Sequence, residues 1–316
     1  MARFVCAAAA LAAAGLPVLL APAGVGAPPV PDARGCPVFT KANPWNQRVD
    51  RLPVHPRSRA MVQRIGVNDH AHADFGSGRY EGGPIGIPFT VVGRGQPRVP
   101  VTFGYADESD RGPYPIPPDA PVEGGRAAGG DRHVIVVDRS RCRAYELFDA
   151  HALNGGARWR AGSGAIWNLR SDRLRPRGWT SADAAGLPIL PGLARYDEVR
   201  RGSIDHALRF TARETRRAFV YPARHFASES TDPDLPAMGQ RVRLRRGYPI
   251  AGFPRQARVV LRALKRYGML LADNGSPWFV SGAPDPGWDN DALHALHRVP
   301  GRAFEVVDTS SLPRPG

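Results

Sequence analysis

Beyond Pro84 most of the chain reads as short apolar runs cut by glycine or proline, and that punctuation limits the fold more than any other feature. With 35 Gly and 32 Pro in 316 residues, long helices have little room. A helix-interior glycine costs about 1 kcal/mol and a proline about 3 kcal/mol relative to alanine. Runs of this length bounded by such breakers are strand signals. The clearest are 89–92, 99–105, 133–138 and 142–148, the last two laid out as a hairpin around Arg139-Ser140-Arg141. Further strands are expected at 165–169, 207–211, 218–222 and 240–245. The proline-rich stretch 106–132 reads as a long loop.

Helical spacing is rare. Ser58 can cap a short helix over 58–65 in which Met61, Val62 and Ile65 share a face and Gly66 is the stop. Pro254 suits a first helical position, Val259, Val260, Ala263, Leu264 and Tyr267 follow on one face, and Gly268 ends the run. Strands 269–273 and 278–281 flank Asn274-Gly275, a strong hairpin signal. A short helix to His297 and a strand over 304–308 close the chain. The expected fold is mainly β, a sandwich or jelly roll, with a few peripheral helices and a C-terminal helix–hairpin–helix–strand segment. One domain spans 38–312.

The N-terminus sets the compartment. Arg3, an almost uncharged run over 4–21 and the small-x-small site Ala21-Pro22-Ala23 have the layout of a signal peptide, residues 1–23. Gly15, Pro17 and Pro22 interrupt the run, against a membrane anchor. A Pro/Gly-rich leader, 24–37, is expected to be exposed. Cys6 departs with the signal, leaving Cys36 and Cys142, which in an oxidising compartment pair as one disulfide. The protein is therefore expected to be secreted, with membrane contact only through export.

The net charge is +14, and Lys41 and Lys265 are the only lysines. A basic secreted chain suits an acidic polysaccharide or an anionic cell surface. Nucleic acid is not an expected partner, because no basic run carries interleaved aromatics. There is no GxSxG, HExxH, P-loop or CxxC, and no cofactor is expected.

Three regions could carry chemistry. His70, His72 and Asp74 alternate as metal ligands on a strand would. In the 133–148 hairpin, a three-residue loop puts His133 on one face with Arg143 and Tyr145; a shift of one residue puts it with Glu146. Between Trp179 and His206 lie aromatics, carboxylates and an imidazole, the equipment of sugar chemistry, in which one carboxyl protonates the leaving oxygen and another attacks or activates water. Glu146, Asp197, Glu198 and His206 are the acid/base candidates. His133, Tyr145 and Arg224 are the set for a lyase, since arginine grips a uronate carboxylate. Trp179, Asp183 and Tyr221 would hold substrate.

Several segments resemble a family of secreted bacterial proteins of actinobacterial type. They are Gly86-Ile87-Pro88-Phe89, Gly112-Pro113-Tyr114-Pro115-Ile116-Pro117, Asp131-Arg132-His133-Val134, the run 178–188, Tyr267-Gly268-Met269, Ala272-Asp273-Asn274-Gly275-Ser276 and Phe304-Glu305-Val306-Val307-Asp308. The resemblance covers roughly 38–311. It implies secretion and a single domain; the family carries no assigned activity and so transfers no catalytic residues. The reading as a whole is a secreted enzyme of extracellular polysaccharide, a glycoside hydrolase or a lyase. The alternatives are a lectin-like binding module on the same scaffold and a metal-assisted hydrolase built on His70, His72 and Asp74.

Overall fold

The computed structural model describes residues 25–315; the signal peptide expected over 1–23 lies outside them. The fold is mainly β, with several sheets and few helices. A six-stranded sheet runs in the order Phe304–Val306, Arg241–Leu244, Met269–Asn274, Leu208–Ala212, Phe279–Ser281, His72–Asp74. A four-stranded sheet runs Ser163–Asn168, Arg143–Phe148, Val134–Asp138, Phe89–Val92. A smaller sheet joins His151–Leu153, Arg158–Ala161 and Val101–Phe103.

Among the described residues four of the strand pairs are parallel, including Phe89–Val92 with Val134–Asp138 and Leu208–Ala212 with Met269–Asn274. An antiparallel jelly roll has no such pairs. The hairpin expected at Asn274-Gly275 does not form. Leu208–Ala212 lies between its two strands, and the connection wraps over that strand's end, with Gly275 N–H bonding the Ala212 carbonyl and Trp278 N–H the Thr211 carbonyl. The 218–222 strand is reduced to a single bridge between Phe219 and Met238.

The four-stranded sheet has cores on both sides. Ile135, Val137, Ala144 and Trp167 join the core that includes Leu208, Phe210, Val242 and Leu271 of the six-stranded sheet. Val134, Val136, Tyr145 and Leu147 pack instead on Trp159 and Tyr114. Helix Arg255–Arg266 buries Ala257, Val259, Val260, Ala263 and Leu264 against the larger core. Among the described residues no helix is long and apolar enough to cross a membrane.

The leader is not an exposed tail. Val25–Ala27 pairs with Val38–Thr40, and Val30, Ala33 and Cys36 are buried in the main core. Cys36 is bonded to Cys142, 106 residues away. Reduction should therefore lower stability by about 2–4 kcal/mol, as for other long loops. Thermal denaturation with and without reductant checks this; an unchanged midpoint would show that the leader's burial is held without the bond.

Candidate active site

The turn at 139–142 sets the first element. Asp138 pairs with Arg143, so four residues turn the hairpin and Ile135 stands opposite Glu146. His133, two residues before Ile135, thus shares the face of Glu146, while Tyr145 points to the other side of the sheet. The three members of the proposed lyase set are separated accordingly. Tyr145 is buried in the second core, its hydroxyl accepting from Arg98 at 2.8 Å. Arg224 donates to the Arg175 carbonyl at 2.9 Å.

On the six-stranded sheet a slip in register does the positioning. Phe210 pairs with Leu271, but Thr211 pairs with Asp273, so Ala272 is the extra residue of a bulge. Without that slip Asp273 would face away from Arg209; bulges commonly re-aim a side chain in this way. Arg209 Nη2 is 3.2 Å from Asp273 Oδ2, and its Nη1 donates to Ser281 Oγ at 2.8 Å. Ser281 in turn pairs with Asp74. Asp273, Arg209, Ser281 and Asp74 therefore line one face across four adjacent strands.

Two other segments close over this row. Asp183 is fully buried and takes Arg209 Nε and Nη2 on its two oxygens at 2.9 and 3.2 Å. Burial pushes the Asp183 carboxyl up, but two parallel N–H donors hold the pair ionised. Burial also works against the guanidinium, and the Asp183 and Asp273 carboxylates outweigh it, raising Arg209 above its ordinary value. Asp273, half-buried and beside Asp183, is pushed up to about 7 by desolvation and by that neighbouring charge.

His133 is buried with Nδ1 2.5 Å from Glu123 Oε2 and Nε2 2.9 Å from the Ala182 carbonyl oxygen. Both ring nitrogens face acceptors, which suits the imidazolium. Burial opposes that charge, but Glu123 overcomes it and lifts His133 to about 9. The converse holds for Glu123: burial would raise it, and His133 holds it below the usual carboxylate value. The raised His133 contributes stability that is fully present below its ordinary 6.5 and is lost as pH climbs through about 9. Unfolding free energy should fall across that interval, and Glu123→Gln should flatten the slope; equal slopes in both proteins would show that the pair does not titrate this way.

Of these groups Asp74 and Glu123 line an open cavity of about 710 Å³, together with Glu81, Asp131, Tyr80 and Phe279 among others. Its wall depends on glycine: a Cβ on Gly83 would stand 1.9 Å from the Gly124 carbonyl carbon. Backbone contact between Glu81-Gly82-Gly83 and Glu123-Gly124-Gly125 brings both glutamates to the same wall. Asp74 opens into the cavity as an exposed residue, and partial desolvation there, with Glu123 and Asp131 nearby, raises its carboxyl. Tyr80 is 69% exposed at the rim.

The remaining sequence candidates lie elsewhere. Glu146 is fully buried and accepts from Trp167 Nε1, Ile189 N and Leu190 N, each at 2.9 Å. It fastens the 189–190 turn to the sheet. Glu146→Gln must set an amide NH2 against an N–H donor, so it should cost about 1–3 kcal/mol; a denaturant midpoint unchanged from wild type would contradict this. Glu198 is fully buried between Arg195 at 2.9 Å and His206 at 3.1 Å, and His206 is itself sealed in by the Ala207 carbonyl. Asp197 sits on the surface of helix Tyr196–Arg201 between Arg195 and Arg201. Glu146, Asp197 and Glu198 thus do not share a groove. Among the described residues the Tyr221 hydroxyl is buried without a partner.

His70, His72 and Asp74 do not converge either. His70 lies before the strand in a bridge with Pro300, and His72 turns Nδ1 to His297 Nε2 at 2.5 Å while stacking on Phe279. Burial, with His297 and His294 alongside, lowers His72 to about 4. Among the described residues no group of three or more His, Cys, Asp or Glu is placed to hold a metal ion.

Sequence reasoning missed Glu123, Arg209 and Asp273 as site residues. Asp273 had a sufficient explanation in its turn, and Arg209 is one arginine among many. Asp183 and Asp273 meet at Arg209, and His133 bonds the Ala182 carbonyl next to Asp183. No family model matches the chain, and no curated protein or solved structure is matched to it.

Proposed function

We propose that the protein is a secreted glycan hydrolase whose acid is Asp74 and whose ionised partner is Glu123. The observation that supports it is the opposed tuning of two carboxyls in one cavity: Asp74 raised, Glu123 lowered. Two titratable groups pushed apart by their surroundings are the usual mark of an acid/base division of labour. Protonated Asp74 delivers its proton to the glycosidic oxygen as the bond to the anomeric carbon breaks. Glu123 stabilises the positive charge of the sugar, and water bonds to the anomeric carbon while returning its proton to the Asp74 carboxylate. His133 occupies Glu123 Oε2, leaving Oε1 without a partner among the described residues. Tyr80 and Phe279 offer ring faces for a sugar to stack on.

The cavity's charge selects among substrates. Asp74, Glu81, Glu123 and Asp131 are acids, although the chain as a whole is strongly basic. A uronate would meet like charge here, so a neutral or amino-sugar glycan fits this cavity and the lyase reading does not. The disulfide supports an oxidising, extracellular setting.

The test is incubation of the purified mature protein with neutral, amino-sugar and uronate polysaccharides, reading reducing ends and ultraviolet absorbance together. New ends without absorbance, from neutral or amino-sugar chains, are expected. Absorbing products would make it a lyase, and binding without turnover would make it a lectin-like module.

A further inference from the structure

A second cavity, about 610 Å³, runs along the outer edge of strand Ser163–Asn168 and is bounded by the 171–179 segment. Four arginines line it, Arg111, Arg143, Arg173 and Arg175, against one carboxylate, Asp110. That carboxylate is already spent, paired with Arg175 at 2.6 Å. Arg175 is committed to the scaffold: its other nitrogens donate to the Thr180 and Glu108 carbonyls, and its guanidinium lies 5.7 Å from the Trp167 ring centre and 5.4 Å from that of Trp179. It forms a fixed floor between two indoles.

The other three differ. Arg111, Arg143 and Arg173 are exposed, and none has a carboxylate partner among the described residues. Uncompensated guanidinium groups around a concave groove match a chain of sugar rings bearing oxyanions, because arginine forks onto carboxylate and phosphate; Trp167 is buried, so half-buried Trp179 is the indole that can meet a sugar ring. We propose that this groove is an anchoring site for an acidic glycan, one whose sugars carry carboxylate or phosphate groups. It is a separate surface from the acidic cavity and carries the opposite charge. The protein would then be held on an anionic wall polymer while the cavity faces another glycan.

Affinity electrophoresis of the full mature chain tests this, with polygalacturonate, a poly(glycerol phosphate) polymer, neutral amylose and double-stranded DNA as probes. Retardation by one or both acidic polymers and not by amylose is expected, and the stronger of the two identifies the oxyanion. Arg143→Glu/Arg173→Glu should weaken it about tenfold, the sum of two exposed ion pairs. Arg158→Glu/Arg160→Glu changes the net charge equally on an exposed strand outside the groove and should leave most of the retardation. Equal losses in the two variants would reduce the effect to overall charge and overturn the site. No retardation of the wild type by either acidic polymer, or tighter binding of DNA than of both, would overturn it as well.

Discussion

Arg209→Leu should destabilise the protein by roughly 3–5 kcal/mol, the cost of stranding a buried charge whose partner has been removed. Asp183 has no exposed surface, and both its oxygens point at Arg209. Once the guanidinium is gone, the carboxylate must stay charged in a dry site or take up a proton, and each state is less stable than the pair. Asp273 and Ser281 lose the same donor. Asp183→Leu/Arg209→Leu should recover much of the loss, because an apolar pair leaves no uncompensated charge. Equilibrium unfolding in urea of the wild type, both single variants and the double variant measures the coupling. A single-variant cost below about 1 kcal/mol would mean water reaches the pair, and the network would then be a surface feature.

That network shows where sequence reading stops. Strands such as Phe89–Val92 and the helix Arg255–Arg266 are legible because their signals are local: β-branched runs, periodic apolar residues, a terminal glycine. The Asn274-Gly275 hairpin fails for the opposite reason. Turn chemistry describes four residues, whereas the strand that intervenes comes from more than sixty residues earlier and is held there by parallel pairing with Met269–Asn274. The site is further removed still. Asp273 reaches Arg209 only through a one-residue bulge, Glu123 reaches the cavity through a glycine contact with another loop, and His133 is oriented by the parity of a turn. Each is a geometric accident at the level of composition. Glu198 and Glu146 show the converse: acids in a promising neighbourhood prove to be internal fastenings, since burial and partner count are tertiary properties.

The largest functional effects are expected at Asp74 and Glu123. Asp74→Asn cannot donate a proton, and Glu123→Gln cannot carry the negative charge opposite it. Each should reduce kcat/KM on the best glycan of the panel by about 10²–10⁴-fold, the usual share of a positioned acid or base. The pH profile distinguishes these roles from damage to the fold. Activity requires Glu123 ionised, and its lowered value places the rising limb on the acid side of its ordinary 4.5. It also requires Asp74 protonated, and the falling limb follows its raised value above the ordinary 3.8. The optimum should therefore lie between these two limbs. Asp131 is one of the charges that raise Asp74, so Asp131→Asn should let Asp74 ionise more readily and move the falling limb to lower pH. The rising limb should stay where it is. If Asp74→Asn and Glu123→Gln both keep more than about a tenth of the wild-type rate, neither is the reacting acid or its partner. The opposed tuning in the cavity would then be a consequence of packing His133 beneath it.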